Sequence, residues 1–413
     1  MGPQAGKFHG PPQAGKFHGP PQVGKFHGLP PGFGSIWMAV AVDLVGFGIV
    51  LPILPIYAKR FHISSFRAAL LVAAFSGASF VFSPIWGRIS DRFGRKPVLL
   101  VSLAGTAVGS LLTGVASGFA LLLVGRIVDG ASGASVSVAQ AAAADLAKPS
   151  ERARLFGLLG AAFGVGFVAG PALGALAALW GPRLPFYLAA GLAALNTVIA
   201  ARRLPETLGV GSKAPVGLQA GGWTGLLGGP PARLVPLLGV AFAAVVAFSG
   251  FEATFALFGQ RRLGFGIASA AAVFTAVGAV IVVVQAGAVA PVVRRVGEGR
   301  TLIAGLLLNV LGLALLSAAR SWAVAAPALL ALTVGQGVVQ TTMASVLAGR
   351  AAPGRRGRAL GAQQSAGGLG RVVGPAVGGA LLGVHASGWP YVAGAALTLV
   401  AAVVAVGTVR ELS

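Results

Sequence analysis

Twelve times along this chain, an apolar stretch long enough to cross a lipid bilayer runs its course with almost no charge inside it. A helix needs roughly 20 mostly apolar residues to span the hydrocarbon core. Such stretches fall near 35–58, 68–86, 97–116, 119–146, 155–180, 184–201, 234–258, 267–291, 301–319, 322–349, 360–384 and 390–409. Over 413 residues the chain is 56% hydrophobic and 10% charged, with a mean hydropathy of +0.85. That composition is foreign to soluble domains and predicts an all-α integral membrane protein. Cysteine is absent, which excludes a disulfide framework, a thiolate nucleophile and a Cys-based metal site.

A net charge of +22 raises nucleic acid as a partner. The bases, however, stand in short clusters between apolar runs, with no basic stripe interleaved with aromatics, so no nucleic-acid binding is expected. Their distribution reports topology instead. With the N-terminus in the cytoplasm, 22 of the 31 Lys and Arg residues fall in inside segments and 7 in outside ones, while Arg126 and Arg371 lie within spans. This excess predicts both termini in the cytoplasm and a multi-pass chain in the cell (inner or plasma) membrane. The bilayer is the first partner implied.

Residues 1–34 stand apart. "GPQAGKFHG", "PPQAGKFHG" and "PPQVGKFHG" repeat every nine residues. So much Gly and Pro sustains neither helix nor strand, and a disordered tail is expected. His9, His18 and His27 offer at most a loose metal site, and a neutral tail is the plainer reading. No other metal-ligating pattern occurs. A second Gly/Pro-rich stretch, 202–233, reads as a cytoplasmic linker dividing a six-helix bundle over 35–201 from another over 234–413. The halves echo each other. "RFGRKPVL" (92–99) aligns with "RVGEGRTL" (295–302) at an offset of 203, and "RLFG" (154–157) with "RALG" (358–361) at 204. "GFVAGPALGA" (166–175) aligns with "GRVVGPAVGG" (370–379), also at 204. Three matches in order at nearly one offset indicate a duplication, and duplicated six-helix halves around a midplane cavity are a transporter architecture.

Three motifs then carry a specific resemblance. "GRISDRFGRKPVLL" (87–100) is similar to the loop motif G-x-L-x-D-R-x-G-R-K-x-x-L, with Ile89 for Leu. "LLVGRIVDG" (122–130) is similar to the fourth-helix motif L-x-x-x-R-x-x-x-G. "GFVAGPALGA" resembles the fifth-helix antiporter motif G-x-x-x-G-P-x-x-G-G, with Ala175 for the last Gly. From about 35 to 409 the chain resembles a major facilitator superfamily transporter of the drug:proton antiporter branch with twelve spans. Within that branch it looks closest to tetracycline efflux proteins. The resemblance implies the major facilitator fold, with twelve transmembrane helices as two pseudo-symmetric bundles. It departs from the tetracycline pattern at two acids: Gly109 stands where the third helix carries Asp, and 301–319 holds no acid.

The loop motif is read as a latch for alternating access. Asp91 can accept hydrogen bonds from the exposed N–H groups of a helix start, which the resemblance makes the eleventh helix, near 360. Arg95 can pair with Asp145, while Gly87 and Gly94 allow close approach and a tight turn. Arg92 and Lys96 complete the cluster. The competing reading is a solvated basic loop that only sets orientation.

Ionisable groups at membrane depth are costly and are functional candidates. Asp43 and Glu252 are read as binding a proton or a cationic substrate, against structural capping. Arg126 and Asp129, one turn apart, are either a proton relay or a static ion pair. Gly166, Gly170, Pro171 and Gly174 are expected to give close helix packing and a bend. Gln336 and Gln340, on one face of the tenth helix, either line the cavity or bond between helices. No phosphate loop, nucleophile–base pair or metal cluster is present in the sequence, so no enzyme and no ATP-driven pump is expected.

The function these features predict is proton-coupled export of small apolar or cationic compounds such as drugs. The partners implied are a small-molecule substrate and protons. No cofactor is implied beyond the proton gradient, and a monomer is expected. A metabolite carrier remains open as an alternative, as does a non-transporting membrane sensor or scaffold, although a scaffold gains nothing from buried acids.

Overall fold

The computed structural model describes residues 29–133, 135–146, 152–208, 234–351, 356–384 and 388–410. The N-terminal repeat with His9, His18 and His27, and most of the linker, lie outside them. Among the described residues there is no strand. The first half holds α1 (Phe33–Ala58), α2 (Ser65–Phe93), α3 (Arg95–Val115), α4 (Phe119–Ser132), α5 (Ser135–Leu146), α6 (Arg152–Ala178) and α7 (Leu184–Arg203). The second holds α8 (Val235–Leu263), α9 (Ile267–Val283), α10 (Val289–Val296), α11 (Glu298–Ala318), α12 (Trp322–Arg350), α13 (Arg356–Val384) and α14 (Trp389–Arg410). Helices α4 and α5 make one span interrupted at Gly133, and a π-helical turn, Val284–Ala288, joins α9 to α10. Each half therefore has six spans.

Eleven of the spans are long and apolar enough to cross a membrane by themselves. The exception is α13, which is 29 residues long but carries Arg356, Arg358, Gln363, Gln364 and Arg371. It can be polar because it packs lengthwise against α2 and α8. Large apolar side chains cover the outside of the bundle, among them Trp180, Val400 and Val403, as a lipid-facing surface requires.

The pairing of helices repeats between halves. Helix α1 packs on α6 and α7 as α8 packs on α13 and α14, and α3 packs on α4 as α11 packs on α12. The most extensive contacts between the halves are α2 with α13 and α6 with α9, and α1 also touches α8 and α9. The turn into the third span repeats as well. Gly94 (φ 106°, ψ 155°) and Gly297 (φ 88°, ψ 157°) share a conformation that L residues rarely adopt. The stretch expected as a loop over 87–97 is otherwise helical, with only Gly94 between α2 and α3. Side-chain bonds within the segment hold it so: Arg95 donates to the Ser90 hydroxyl at 2.7 Å and pairs with Asp91 one turn back.

Apolar packing is uneven along the membrane normal. At the end away from the termini, one core runs through both halves, from Ile49–Ala58 and Leu71 to Phe251–Phe258, Leu316 and Tyr391. At the end bearing the termini there are two cores. One belongs to the first half (Phe33, Leu44, Val98, Leu155) and one to the second (Leu237, Leu306, Val346, Ala405). The halves are fused at one end and separately packed at the other.

Candidate transport site

Glycines set how the two halves are braced. A Cβ on Gly170 would collide with the backbone of Val45 and Gly48, and one on Gly166 with Leu44. Gly174 lies against Ile49 and Ile53, and Pro171 lies inside α6 beside Gly48. The second half repeats this ladder, with Gly370 on Val245, Gly374 on Ser249 and Gly250, and Gly378 on Gly250 and Thr254. Small residues four apart let the α1–α6 and α8–α13 backbones touch. This fixes everything the neighbouring side chains can reach.

In the first half, the ladder holds Asp43 against α3 and α5. Ser135 Oγ donates to Asp43 Oδ2 at 2.5 Å and the Thr106 hydroxyl stands beside the carboxylate. Asp43 Oδ1 is buried with no hydrogen-bond partner. Arg126 and Asp129 form a buried ion pair on α4, exposed by only 2% and 5%. The guanidinium lies over the Phe75 ring, 5.2 Å from its centroid, and its Nε has no partner. The Asp129 backbone and Cβ fill the space that a side chain at Gly109 would need. An acid on α3 at that position is therefore sterically excluded, and the acid nearest it comes from α4.

In the second half, Glu252 is half-buried on α8 and Arg371 is exposed on α13. Arg371 acts on Glu252 electrostatically but makes no ion pair within 4 Å, and the described residues give neither group a hydrogen bond. Gln336 does not line a cavity. It is 2% exposed and accepts a hydrogen bond from Asn309 Nδ2 at 3.2 Å, which ties α12 to α11. Gln340 is exposed and accepts from Gln285 Nε2 at 2.9 Å, and Gln285 sits in the π-helical turn. Sequence reasoning missed Gln285, Asn309 and Arg371. Arg371 could have been found, since it is one of only two bases inside the spans.

At the terminus-bearing end, Arg95 is 4% exposed and gathers three partners: Asp145 (Nε to Oδ2, 2.9 Å), Ser90 and Asp91. Asp91 thus faces Arg95. The side chains at the start of α13, its expected partners, lie outside the described ones. A carboxylate that caps a helix start among the described residues is Glu206, which the sequence reading missed. It accepts from the backbone N–H of Arg95 (2.8 Å) and Lys96 (3.1 Å) at the first turn of α3, and from Thr207 and Leu208. Partial burial opposes its charge, but these four donors outweigh that and hold its carboxyl below the ordinary value. Gly94 lies directly under this carboxylate, where a Cβ would strike it. Gly87 lies within α2, and among the described residues a Cβ there would meet nothing within 4 Å; its expected neighbours at the start of α13 lie outside them. Arg92 stacks on Phe93 at the exposed end of α2.

At the other end, Arg261 bridges the halves. It donates to Ser65 Oγ on α2 at 2.5 Å and to the Leu382 carbonyl on α13 at 3.2 Å. Among the described residues, no group of three or more His, Cys, Asp and Glu is placed to hold a metal.

Two mirrored six-helix bundles, braced by glycine ladders and carrying charges at membrane depth between them, define a membrane transporter of the two-bundle class. The chain belongs to the Major Facilitator Superfamily, whose model matches residues 36–351 and 286–411. It is 32% identical to the class C tetracycline resistance protein of Escherichia coli, over 87% of this chain and 93% of that protein. It is 31% identical to the class G tetracycline resistance protein of Vibrio anguillarum, over 88% and 94%. Among solved structures, the human organic anion transporter MFSD10 (TETRAN) superposes with a TM-score of 0.68 at 26% identity, covering 91% of this chain and 98% of that one.

Proposed function

We propose that this transporter exports small, largely apolar compounds from the cytoplasm across the cell membrane in exchange for protons, with both termini in the cytoplasm. The observation that carries the reading is Asp43, a half-buried acid inside the first bundle with one oxygen bonded to Ser135 and the other, Oδ1, shut off from solvent without a partner among the described residues. A carboxylate oxygen so placed is a seat for a proton, because taking one up removes the cost of an uncompensated charge. The single core at one end and two cores at the other support a conformation open toward the cytoplasm. The similarity to tetracycline resistance proteins supports removal of such compounds from the cell. The excess of bases on the terminus-bearing side supports the orientation.

Reconstituted protein under an imposed pH gradient tests the coupling. Asp43→Asn should lower gradient-driven transport at least about tenfold and leave gradient-independent substrate exchange close to wild type. Gradient-driven transport at the wild-type rate in that variant would refute the assignment.

A further inference from the structure

Helix α13 has three distinct faces. Gly370, Gly374 and Gly378 lie against α8. Gly368 meets Phe80, Gly77 meets Val372 and Gly379 meets Ala69, so these positions face α2. Leu369 and Val377 are exposed large apolar side chains, as lipid contact requires. At about 100° of rotation per residue, Arg371 falls on the arc between the α8 face and the α2 face, opposite Leu369 and Val377. It therefore points into the space between the two halves, at membrane depth, and it is exposed there.

None of the other charges inside the spans pairs with Arg371 among the described residues. Arg126 is buried against Asp129, and Asp43 is bonded within its own bundle. Glu252 is half-buried and beyond contact distance of Arg371. The position matching Arg371 in the first half is Phe167, at the same offset of 204 as the flanking glycines. Phe167 stacks edge-on with Phe47, which also packs on Phe75. The first half thus sets an aromatic cluster, half-buried, at the position where the second half sets an exposed guanidinium without an ion pair.

We propose that Arg371 binds the substrate, and that the substrate is an organic acid: an apolar ring system bearing one anionic group. The guanidinium fork takes a carboxylate or similar anion through two parallel charge-assisted hydrogen bonds. The ring system lies against Phe47, Phe75 and Phe167. This replaces the cationic substrate expected from the sequence, and it rests on the transport reading above only in treating the space between the halves as the substrate's path.

Three probes with one apolar body and different charge test it: 2-naphthoate, 2-naphthamide and 2-naphthylmethylammonium, titrated against the full-length protein in lipid nanodiscs. The acid should bind at least about tenfold more tightly than the amide or the cation, the worth of one charge-assisted pairing. Arg371→Gln should remove that preference, and Arg371→Lys should restore part of it. No preference for the acid, a preference for the cation, or an unchanged preference in Arg371→Gln would overturn the proposal. If Arg371→Gln does not fold, the charge series on the wild-type protein decides. Exchange of labelled naphthoate in proteoliposomes separates the two readings: acid-selective binding without exchange sinks the transport function and leaves the binding assignment standing.

Discussion

The two halves of this protein share a frame and differ in what they mount on it. Both brace the first span of the half against the fifth with a glycine ladder, and both turn into the third span through a glycine of the same backbone conformation. Where the first half buries a charge pair between its third and fourth spans, Arg126–Asp129 against Gly109, the second uses an uncharged amide pair, Asn309–Gln336. Where the first half has Phe167, packed on Phe47, the second has the exposed Arg371 at the matching position. Duplication conserves the backbone contacts that fix shape, and the two copies are free to diverge wherever a side chain faces the centre. Charge is kept inside the first bundle and displayed by the second.

The largest effect should come from breaking the buried charge pair. Asp129→Asn leaves Arg126 buried and unpaired, which costs about 3–5 kcal/mol. Gln336→Leu leaves only a neutral amide donor on Asn309 unpaired, about 1–3 kcal/mol. Thermal unfolding of the two variants in detergent should rank them in that order. Equal losses would mean that the halves do not differ in kind. The double variant Arg126→Leu/Asp129→Leu should recover stability, since an apolar pair replaces a desolvated one, and transport assays on it would separate packing from proton handling.

An intermediate effect is expected at the fused end. Arg261→Gln removes the guanidinium that ties α8 to Ser65 of the other half. A cysteine introduced at an otherwise buried position of the shared core, such as Ala256, should then react several-fold faster with a membrane-impermeant thiol reagent. Native cysteine is absent, so the background is clean. An unchanged rate would show that apolar packing alone closes this end.

The smallest effect concerns Glu206. Its folded-state carboxyl is held below the ordinary value of 4.5. The stability it contributes is therefore full above about pH 4.5 and is lost as pH falls through the lowered folded value. Glu206→Gln should flatten the acid side of a stability-versus-pH curve and leave the neutral side nearly unmoved. A matching loss at pH 8 would point to packing in place of charge.

The frame was readable because membrane burial writes itself into long apolar runs, and because the three motif pairs recur at nearly one offset. The breaks within spans were not. Gly133 and the π-helical turn at Val284–Ala288 interrupt helices whose composition is continuous, since their cause lies in neighbours brought close by folding. Asp43, Arg126 and Asp129 were legible because charge inside an apolar run is rare. Glu206 was hidden: it lies in the polar stretch after α7, and only the fold carries it to the start of α3, 111 residues earlier in the chain. Gln336 and Gln340 share a helix face in sequence, yet one is buried and the other exposed, because α11 covers only part of that face.

The break at Gly133 makes α5 a helix of its own. This twelve-residue helix is separated from the piece that carries Arg126 and Asp129, and it has a polar grip at each end. Ser135 holds Asp43 in the membrane interior, and Asp145 holds Arg95 at the terminus-bearing surface. Ten residues of helix separate the grips, about 15 Å at the helical rise. Between the grips, Val138, Ala139, Ala142 and Ala143 are fully buried in the core of the first half. α5 is therefore a short strut that ties a polar contact in the membrane interior to another at the water-facing surface.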